Sequence, residues 1–345
     1  MKRHFALSVF AALTLAALSG IAARAQTAYS YWDLGTLGGT SSSAAGINNA
    51  GQVVGGATLA NGATHPFYWS SATGMVDIGT FGGTGGGSKG INNVGDVVGH
   101  ATNVASVWHP FVWNISTHVL TDLNSLLSPS DAAKWTLTYA WKVNDNRQVI
   151  GQGTVIIGGT AFSHGFLLDL TTTPYVTITD LGGYFPDGIN NLSPPQLSCW
   201  PASAAGAIVY PSLVNLFPMI RAYGINNASG VVGYLQNSHA AYISPAGVLT
   251  DLGSWGAPGA FATAKGINNA ASPMVVGDSN IVIKGTNIRH AFRWIVGSNP
   301  GMQDLNSLTL NLGKTSYLSL ATSVSDTGYI VGSTGNSHAY LLMPQ

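Results

Sequence analysis

The sequence predicts an all-β fold, a six-bladed β-propeller whose closing blade takes one strand from the N-terminus. Three observations lead to this fold class. A hairpin motif of two strands recurs six times. Two further strand-like segments accompany each copy, which gives a cycle of four segments. At the C-terminus the last cycle lacks its fourth segment. Helical periodicity is absent, and glycine is too frequent for a helical repeat.

The hairpin motif is typified by GINNVGDVVG at 90–99, two short apolar strands around a turn rich in Asn, Asp and Gly. Its copies begin at Gly46, Gly90, Lys142, Gly224, Gly266 and Ser323. Residues 188–191 repeat GINN, but no Val-Val-Gly, His or Asp-Leu segment follows before Gly224. We therefore expect an insertion at about 184–220, with a seventh, degenerate blade as the alternative.

Two further segments complete each repeat. A strand opened by His begins at His65, His109, His164, His239, His290 and His338. An Asp-Leu or Asp-Ile segment lies at Asp33, Asp77, Asp122, Asp180, Asp251 and Asp304. In the first blade we expect strands at 44–48, 53–57, 65–69 and 75–78. The resulting period of about 53 residues is near that of propeller blades.

The phase of the cycle predicts how the ring closes. The mature chain opens with an Asp-Leu segment at 31–34 and ends with a His segment at 338–343. The last blade is complete only if the N-terminal strand joins it, which would hide both terminal edges. An open β-solenoid is the alternative, but it favours corners of equal length, whereas here the loop from Gly to His spans 6 to 13 residues.

The first 25 residues read as a secretory signal peptide. Lys2 and Arg3 precede an apolar run from Phe5 to Ala23, and Ala23-Arg24-Ala25 fits the cleavage site. We expect residues 26–345 to form one exported domain, periplasmic or extracellular, without a membrane span and monomeric. That domain keeps 10 basic against 13 acidic residues, a formal charge of −3, and has no basic cluster, which argues against nucleic acid.

The order of these motifs along the chain resembles that of a known family of bacterial repeats. The combination of His-Ala-Phe-type strands, DLGTLGG at 33–39 and the GINNxGxVVG hairpins is similar to the bacterial extracellular repeats of the HAF family. Repeats three and six depart from it, with Val143 and Val324 in place of Ile. The resemblance implies secretion and a repeat scaffold, and it implies no catalytic residues.

The histidines, aspartates and cysteine of the sequence are more consistent with structural roles than with catalytic or metal-binding roles. One active site cannot use six symmetric histidines, so we expect each motif His to bond the Asp of its own blade. The Asn-Asn turns lack the converging carboxylates of a calcium loop. Hydrolase, zinc-protease, P-loop and dinucleotide motifs are absent, and Asp131 with Asp187 is the one carboxylate pair we consider. Cys199 has no evident activating partner. We predict no catalytic residues, no metal site and no cofactor.

The candidate site comes from topology. In an up-and-down blade the two variable connections emerge on the same face, and variable loops on a rigid ring commonly carry recognition. The aromatic residues we assign to these loops as ligand-binding candidates are Trp108, Trp135, Tyr184, Phe185, Trp200 and Trp255. Trp69, Trp113 and Trp294 lie in the repeated third strand, where we expect blade core.

The predicted function follows from these rings. Aromatic residues among Ser, Asn and Gly suit neutral, hydroxyl-rich ligands. We therefore predict a secreted, non-catalytic scaffold that binds extracellular polysaccharide, a neutral glycan above all, or a surface protein. The alternative is a propeller-type glycan hydrolase or lyase.

Overall fold

The structure is a computed structural model that describes residues 28–202, 206–256, 259–299, 301–313 and 316–345. The expected signal peptide, residues 1–25, lies outside the described residues. The described chain forms antiparallel sheets of four strands that we call blades I to VII, and each blade runs from the ring axis to the rim. No helix in these ranges is long and apolar enough to cross a membrane.

The first four blades follow one another along the chain. Blade I contains β2 (Gly38–Ile47), β3 (Val53–Leu59), β4 (Thr64–Ser70) and β5 (Gly74–Asp77). Blade II contains β6 (Gly82–Ile91), β7 (Asp96–Asn103), β8 (Trp108–Asn114) and β9 (Leu120–Asp122). Blade III contains β10 (Trp135–Val143), β11 (Gln148–Ile157), β12 (Thr160–Asp169) and β13 (Thr177–Asp180). Blade IV contains β14 (Tyr184–Ile189), β15 (Leu197–Pro201), β16 (Ile208–Tyr210) and β17 (Val214–Asn215).

The remaining blades complete the ring. Blade V contains β18 (Met219–Ile225), β19 (Val231–Leu235), β20 (Ala240–Ile243) and β21 (Leu249–Gly253). Blade VI contains β22 (Ala262–Ile267), β23 (Met274–Ile283), β24 (Thr286–Ile295) and β25 (Gln303–Asp304). Blade VII contains β27 (Leu318–Val324), β28 (Ile330–Thr334), β29 (Ala339–Pro344) and β1 (Tyr29–Asp33), flanked by β26 (Thr309–Leu310). Short helices lie at Leu123–Leu126, Pro129–Ala132 and Leu305–Leu308.

The N-terminal strand closes the ring, as the phase of the repeat predicted. Strand β1 pairs antiparallel with β29 in an unbroken register from Tyr29 opposite Pro344 to Asp33 opposite Tyr340. Tyr29 is fully buried in the core of blade VII, where its hydroxyl accepts a hydrogen bond from Arg293 at 2.8 Å. The all-β propeller and its closure by the N-terminus are therefore confirmed.

The segment expected as an insertion forms a blade. Residues 184–215 contain the four strands of blade IV, which pair antiparallel in chain order. The strands group into six sheets because a parallel contact between Thr64 and Gly85 joins blades I and II. The ring thus has seven blades in the described chain, six with the full motif and one degenerate. The degenerate blade keeps GINN but replaces the His strand and the Asp-Leu segment with strands of three and two residues.

A closed circle of hydrogen bonds joins the seven hairpin turns, at the end of the ring that we call the turn face. In each turn the second residue donates its backbone N–H to the side-chain Oδ1 of its counterpart in the next blade, at 2.7–2.9 Å. The circle contains Asn49, Asn93, Asp145, Asn191, Asn227, Asn269 and Asp326. Because Asp326 donates to Asn49, the circle closes after seven members. These turns are therefore structural, as the sequence predicted.

The motif histidines pair with the motif aspartates in six blades. His Nδ1 lies 2.6–3.0 Å from the carboxylate of its own blade, and His338 reaches Asp33 across the two chain ends. The same aspartates also accept a backbone N–H two residues further on. At Asp122 and Asp304 that bond caps a short helix, and the donor is the backbone N–H of Asn124 or Asn306, where the other four blades have Gly. The expected His–Asp bond is confirmed, although most of these pairs are partly exposed.

Candidate functional site

The inner strand of every blade carries a β-bulge at the same place. The pairing register slips by one residue immediately before the first residue of the hairpin motif in all seven blades. The bulged residues are Ala45, Lys89, Trp141, Asp187, Tyr223, Lys265 and Thr322. A bulge redirects its side chain. The residues on either side of the bulge are mostly Ala and Gly, whereas the bulged residue itself differs from blade to blade.

The bulged residues surround the axis. Glycines beside them bring the inner strands close together: a Cβ added at Gly90 would lie 3.0 Å from Lys142 Cα, and one added at Gly188 would lie 3.0 Å from Gly224 Cα. Toward the turn face, Lys142, Tyr223, Lys265 and Thr322 border an axial cavity of about 180 Å³. We call the seven bulged residues the bulge ring.

A larger groove opens at the other end of the axis, the loop face. Its volume is about 790 Å³, and inner strands of blades I, II and VII and the β23–β24 hairpin of blade VI contribute to its walls. We call it the mouth groove; its side chains are Ser43, Lys89, His100, Trp108, Arg289, Tyr317 and Ser333, among others. Hydroxyls, aromatic rings and two cations thus meet at one opening.

One side of the mouth groove is an aromatic cluster between blades II and III. The His100 ring meets Trp108 and Tyr139 edge-on, with centroids 5.1 and 4.8 Å away, and Tyr139 stacks on Trp141 at 5.2 Å. Burial, together with the nearby Lys89, lowers the pKa of His100 to about 3, so this histidine is neutral at physiological pH. Its Nδ1 is buried and has no hydrogen-bond partner among the described residues.

Elsewhere around the axis, outside the mouth groove, blades IV and V combine an ion pair with aromatic faces. Arg221 binds Asp187 through two nitrogens, at 2.6 and 3.0 Å. Its guanidinium lies 5.1 Å from the ring centroid of Trp200 and 5.0 Å from that of Tyr223. Burial raises the pKa of Tyr223 to about 12, although the positive charge of Arg221 opposes the shift. These are cation–π contacts, so both rings are already shared with a cation.

Three lysines line the same axis. Burial lowers the pKa values of Lys89 and Lys265, and it lowers that of Lys142 to about 8 with help from Lys89. Lys142 donates to the carbonyl oxygens of Lys89 and Ala45, at 3.2 and 3.4 Å. Lys265 Nζ lies 3.9 Å from the centroid of the Tyr223 ring. The axis is therefore rich in cations, although the protein as a whole is not.

The six aromatic residues predicted to bind ligand lie in different environments in the structure. Trp108 borders the mouth groove, and Trp200 lies beside Arg221. Phe185 is buried and packs on Trp200, with ring centroids 4.7 Å apart. Trp135 belongs to the core of blade III, and Tyr184 packs on a second core cluster.

Trp255, the last of the six, packs partly buried against the core of blades V and VI. The expectation that all six rings lie on loops is wrong for five of them, because the strands reach further than predicted: Trp108, Trp135, Tyr184 and Phe185 open strands, and Trp200 lies within one. The third-strand rings Trp69, Trp113 and Trp294 are buried, as expected.

Sequence reasoning missed most of the bulge ring. The missed residues are Lys89, Trp141, Tyr223 and Lys265. A search for repeated motifs selects the residues that recur in every blade, and these four do not recur. A signal was present: when the hairpins are superimposed, the residue just before the motif varies freely, while its predecessor stays small. That pattern marks a position whose side chain the fold leaves free.

The carboxylates of the alternative enzyme are held apart in different local networks. Asp131 accepts a hydrogen bond from Ser128 at the cap of its own helix, whereas Asp187 is bound to Arg221. Asp278 is held by Arg289 and Thr263. Cys199 is fully buried, and burial followed by the charge of Asp187 raises the pKa of its thiol. Across the described ranges, no three His, Cys, Asp or Glu residues group as metal ligands would.

Similarity to one solved structure supports the fold. The chain is similar to the structure of YCF48 bound to D1 peptide, with 9% identity, a TM-score of 0.51, and 94% of this chain and 100% of that one covered. A protein proposed to be a gluconolactonase matches with 8% identity and a TM-score of 0.40, covering 92% of each chain. The Aleuria aurantia lectin, in complex with a fucoside, matches with 11% identity and a TM-score of 0.33, covering 81% of this chain and 94% of the lectin. No family model and no curated protein matches the sequence.

Proposed function

We propose that the protein is an exported, non-catalytic binding module of the HAF-repeat type, which takes a saccharide in the mouth groove. The observation that carries this proposal is the bulge ring. Seven blades repeat the same scaffold, and the bulge position, which the repeat leaves variable, holds Lys, Trp, Asp and Tyr side chains around the axis. Among these side chains, Lys89 lies on the wall of the mouth groove. Chemical variation at one position around the axis of a repeated scaffold is expected of recognition and is not needed for folding.

The chemistry of the groove favours a saccharide. Ser43 and Ser333 offer hydroxyls to its interior, bonded to each other at 2.7 Å, and Trp108 and Tyr317 offer half-buried rings. Aromatic rings can pack on the apolar faces of sugars while hydroxyls and charged groups bind their oxygens. The sequence favoured a neutral glycan; the cations of the groove also suit glycans with acidic groups.

A catalytic role lacks a comparable observation. Glycoside hydrolysis commonly uses two carboxyl groups that flank the scissile bond. The two axial carboxylates, Asp187 and Asp278, are each engaged by an arginine on their own side of the channel. We therefore assign these carboxylates to holding Arg221 and Arg289 in place.

The test is native affinity electrophoresis of the mature protein in gels that contain soluble polysaccharides, neutral and acidic. We expect at least one polymer to retard the protein. Trp108→Ala should weaken this retention by about 1 to 3 kcal/mol, the usual range for an aromatic anchor. Trp32→Ala is the matched control, because Trp32 is 48% exposed on β1, in the outer part of blade VII. Retention by no polymer, or equal losses for both variants, would refute the proposal.

A further inference from the structure

The charges around the axis do not balance. Lys89, Lys142, Arg221, Lys265 and Arg289 bring five cations. The carboxylates beside them are those of Asp187 and Asp278, and both are already bound to arginines. Three lysines are therefore left without a carboxylate partner among the described residues, in a domain whose net charge after signal cleavage would be negative.

Of these three lysines, Lys89 is the one whose ammonium is free to meet a ligand. Lys142 is engaged by two backbone carbonyls, and Lys265 lies over the Tyr223 ring. Lys89 is half-buried on the wall of the mouth groove, and within the described chain its Nζ has no hydrogen-bond acceptor. An ammonium in such a place is partly shielded from water, and a bound anion would give it a charged partner.

The neighbours of Lys89 point to the same place. His100 borders the groove with Lys89, and its buried Nδ1 lacks a partner. Buried polar atoms in native proteins are nearly always hydrogen-bonded, so an orphan beside a groove suggests that something else completes the network. Because burial keeps this imidazole neutral, it can accept or donate a hydrogen bond without adding a charge.

We infer that the mouth groove takes a saccharide that carries carboxylate groups, and that one carboxylate pairs with the ammonium of Lys89. This inference rests on the proposed function and names the ligand class: a polymer of uronic acids. Hydroxyls of the same sugar would face Ser43 and Ser333, and a ring face would lie along Trp108. The sugar carboxylate supplies the charge that the channel lacks.

The experiment measures retention in gels containing polygalacturonate or alginate, compared with fully methyl-esterified polygalacturonate, in which the charge is removed and the sugar kept. We expect a free-acid polymer to retard the protein and the ester to retard it at least about tenfold less, as for the loss of a charge-assisted hydrogen bond. Lys89→Gln should lower retention by the free acid to a similar extent, and Lys89→Arg should restore much of it.

Two controls accompany these variants. Lys134→Gln removes an exposed lysine outside the groove and should change nothing. Melting curves show whether each variant is folded, and Lys89→Arg keeps the test decisive if Lys89→Gln is unstable.

Each contrary result has its own meaning. Equal retention by the ester, or retention that Lys89→Gln does not alter, would overturn the inference while leaving saccharide binding intact. Equal retention by poly-aspartate, with the same dependence on Lys89, would replace the saccharide with an acidic peptide and so overturn both claims. Retention by neither acidic nor neutral polysaccharides would likewise overturn both.

Discussion

Replacement of Tyr29 tests whether the N-terminal strand is an integral part of the last blade. Tyr29 is fully buried, its ring lies 5.2 Å from the guanidinium of Arg293, and its hydroxyl accepts a hydrogen bond from that buried arginine. Tyr29→Ala would open a cavity in the core of blade VII, at a cost of about 3 to 5 kcal/mol in the free energy of unfolding. Tyr29→Phe keeps the ring and leaves Arg293 short of one acceptor, at about 1 to 3 kcal/mol.

The assay is urea denaturation of the mature protein, followed by tryptophan fluorescence and by circular dichroism. Trp32→Ala is the internal control, since Trp32 lies three residues away on the same strand and is about half exposed; it should cost less than about 1 kcal/mol. If Tyr29→Ala proves no more destabilising than Trp32→Ala, the N-terminal strand does not dock in solution and the closure is refuted.

Three further predictions concern the scaffold. His109→Ala should lower Tm, at a cost of about 0.5 to 1.5 kcal/mol for each of its hydrogen bonds, with Asp122 and with Asn103. An unchanged Tm would contradict the structural role of the motif histidines. Burial alone would raise the pKa of Asp304, but hydrogen bonds from His290 and Asn306 together outweigh burial and lower it. Its stabilisation should therefore be present above pH 3.8 and be lost as pH falls further. Asp304→Asn should therefore show a shallower loss of Tm below pH 4 than the wild type, and parallel curves would count against that pair. Cys199, buried with a raised thiol pKa, should react with a thiol reagent only after unfolding, and fast labelling of the native protein would contradict its burial.

The sequence predicted the scaffold well because its physical constraints repeat. The His–Asp pairs, the Asn-Asn turns and the closing strand each follow from a residue type at a fixed place in the cycle. Blade IV was not predicted as a blade because its third and fourth strands are short and lack the His and Asp-Leu segments. The GINN motif alone does not distinguish a blade from an insertion. Its Asn190 and Asn191 nevertheless keep their places in the turn-face network.

The candidate site was harder to predict, for a different reason. Trp108 could be predicted because it is an aromatic residue beside a connection of variable length, and such connections commonly carry recognition. Lys89, Trp141 and Tyr223 lie inside strands that the alternation of residues assigns to packing, and the bulge that turns them toward the axis is a feature of backbone pairing. Their meeting around the axis depends on seven blades from distant parts of the chain.

The central claim, that the bulge ring and the mouth groove beside it form the recognition site, is tested most directly by an alanine scan of that ring. The gels would contain whichever polysaccharide retards the wild type most. Retention would be measured for four variants of the bulge ring: Lys89→Ala, Trp141→Ala, Tyr223→Ala and Lys265→Ala. The controls are Leu249→Ala and Thr177→Ala, which lie on exposed outer strands. The account predicts that retention falls for ring variants that still fold, Lys89→Ala above all, and is unchanged for the outer variants. Equal retention by the bulge-ring variants and the outer-strand variants would show that the ligand binds elsewhere on the propeller.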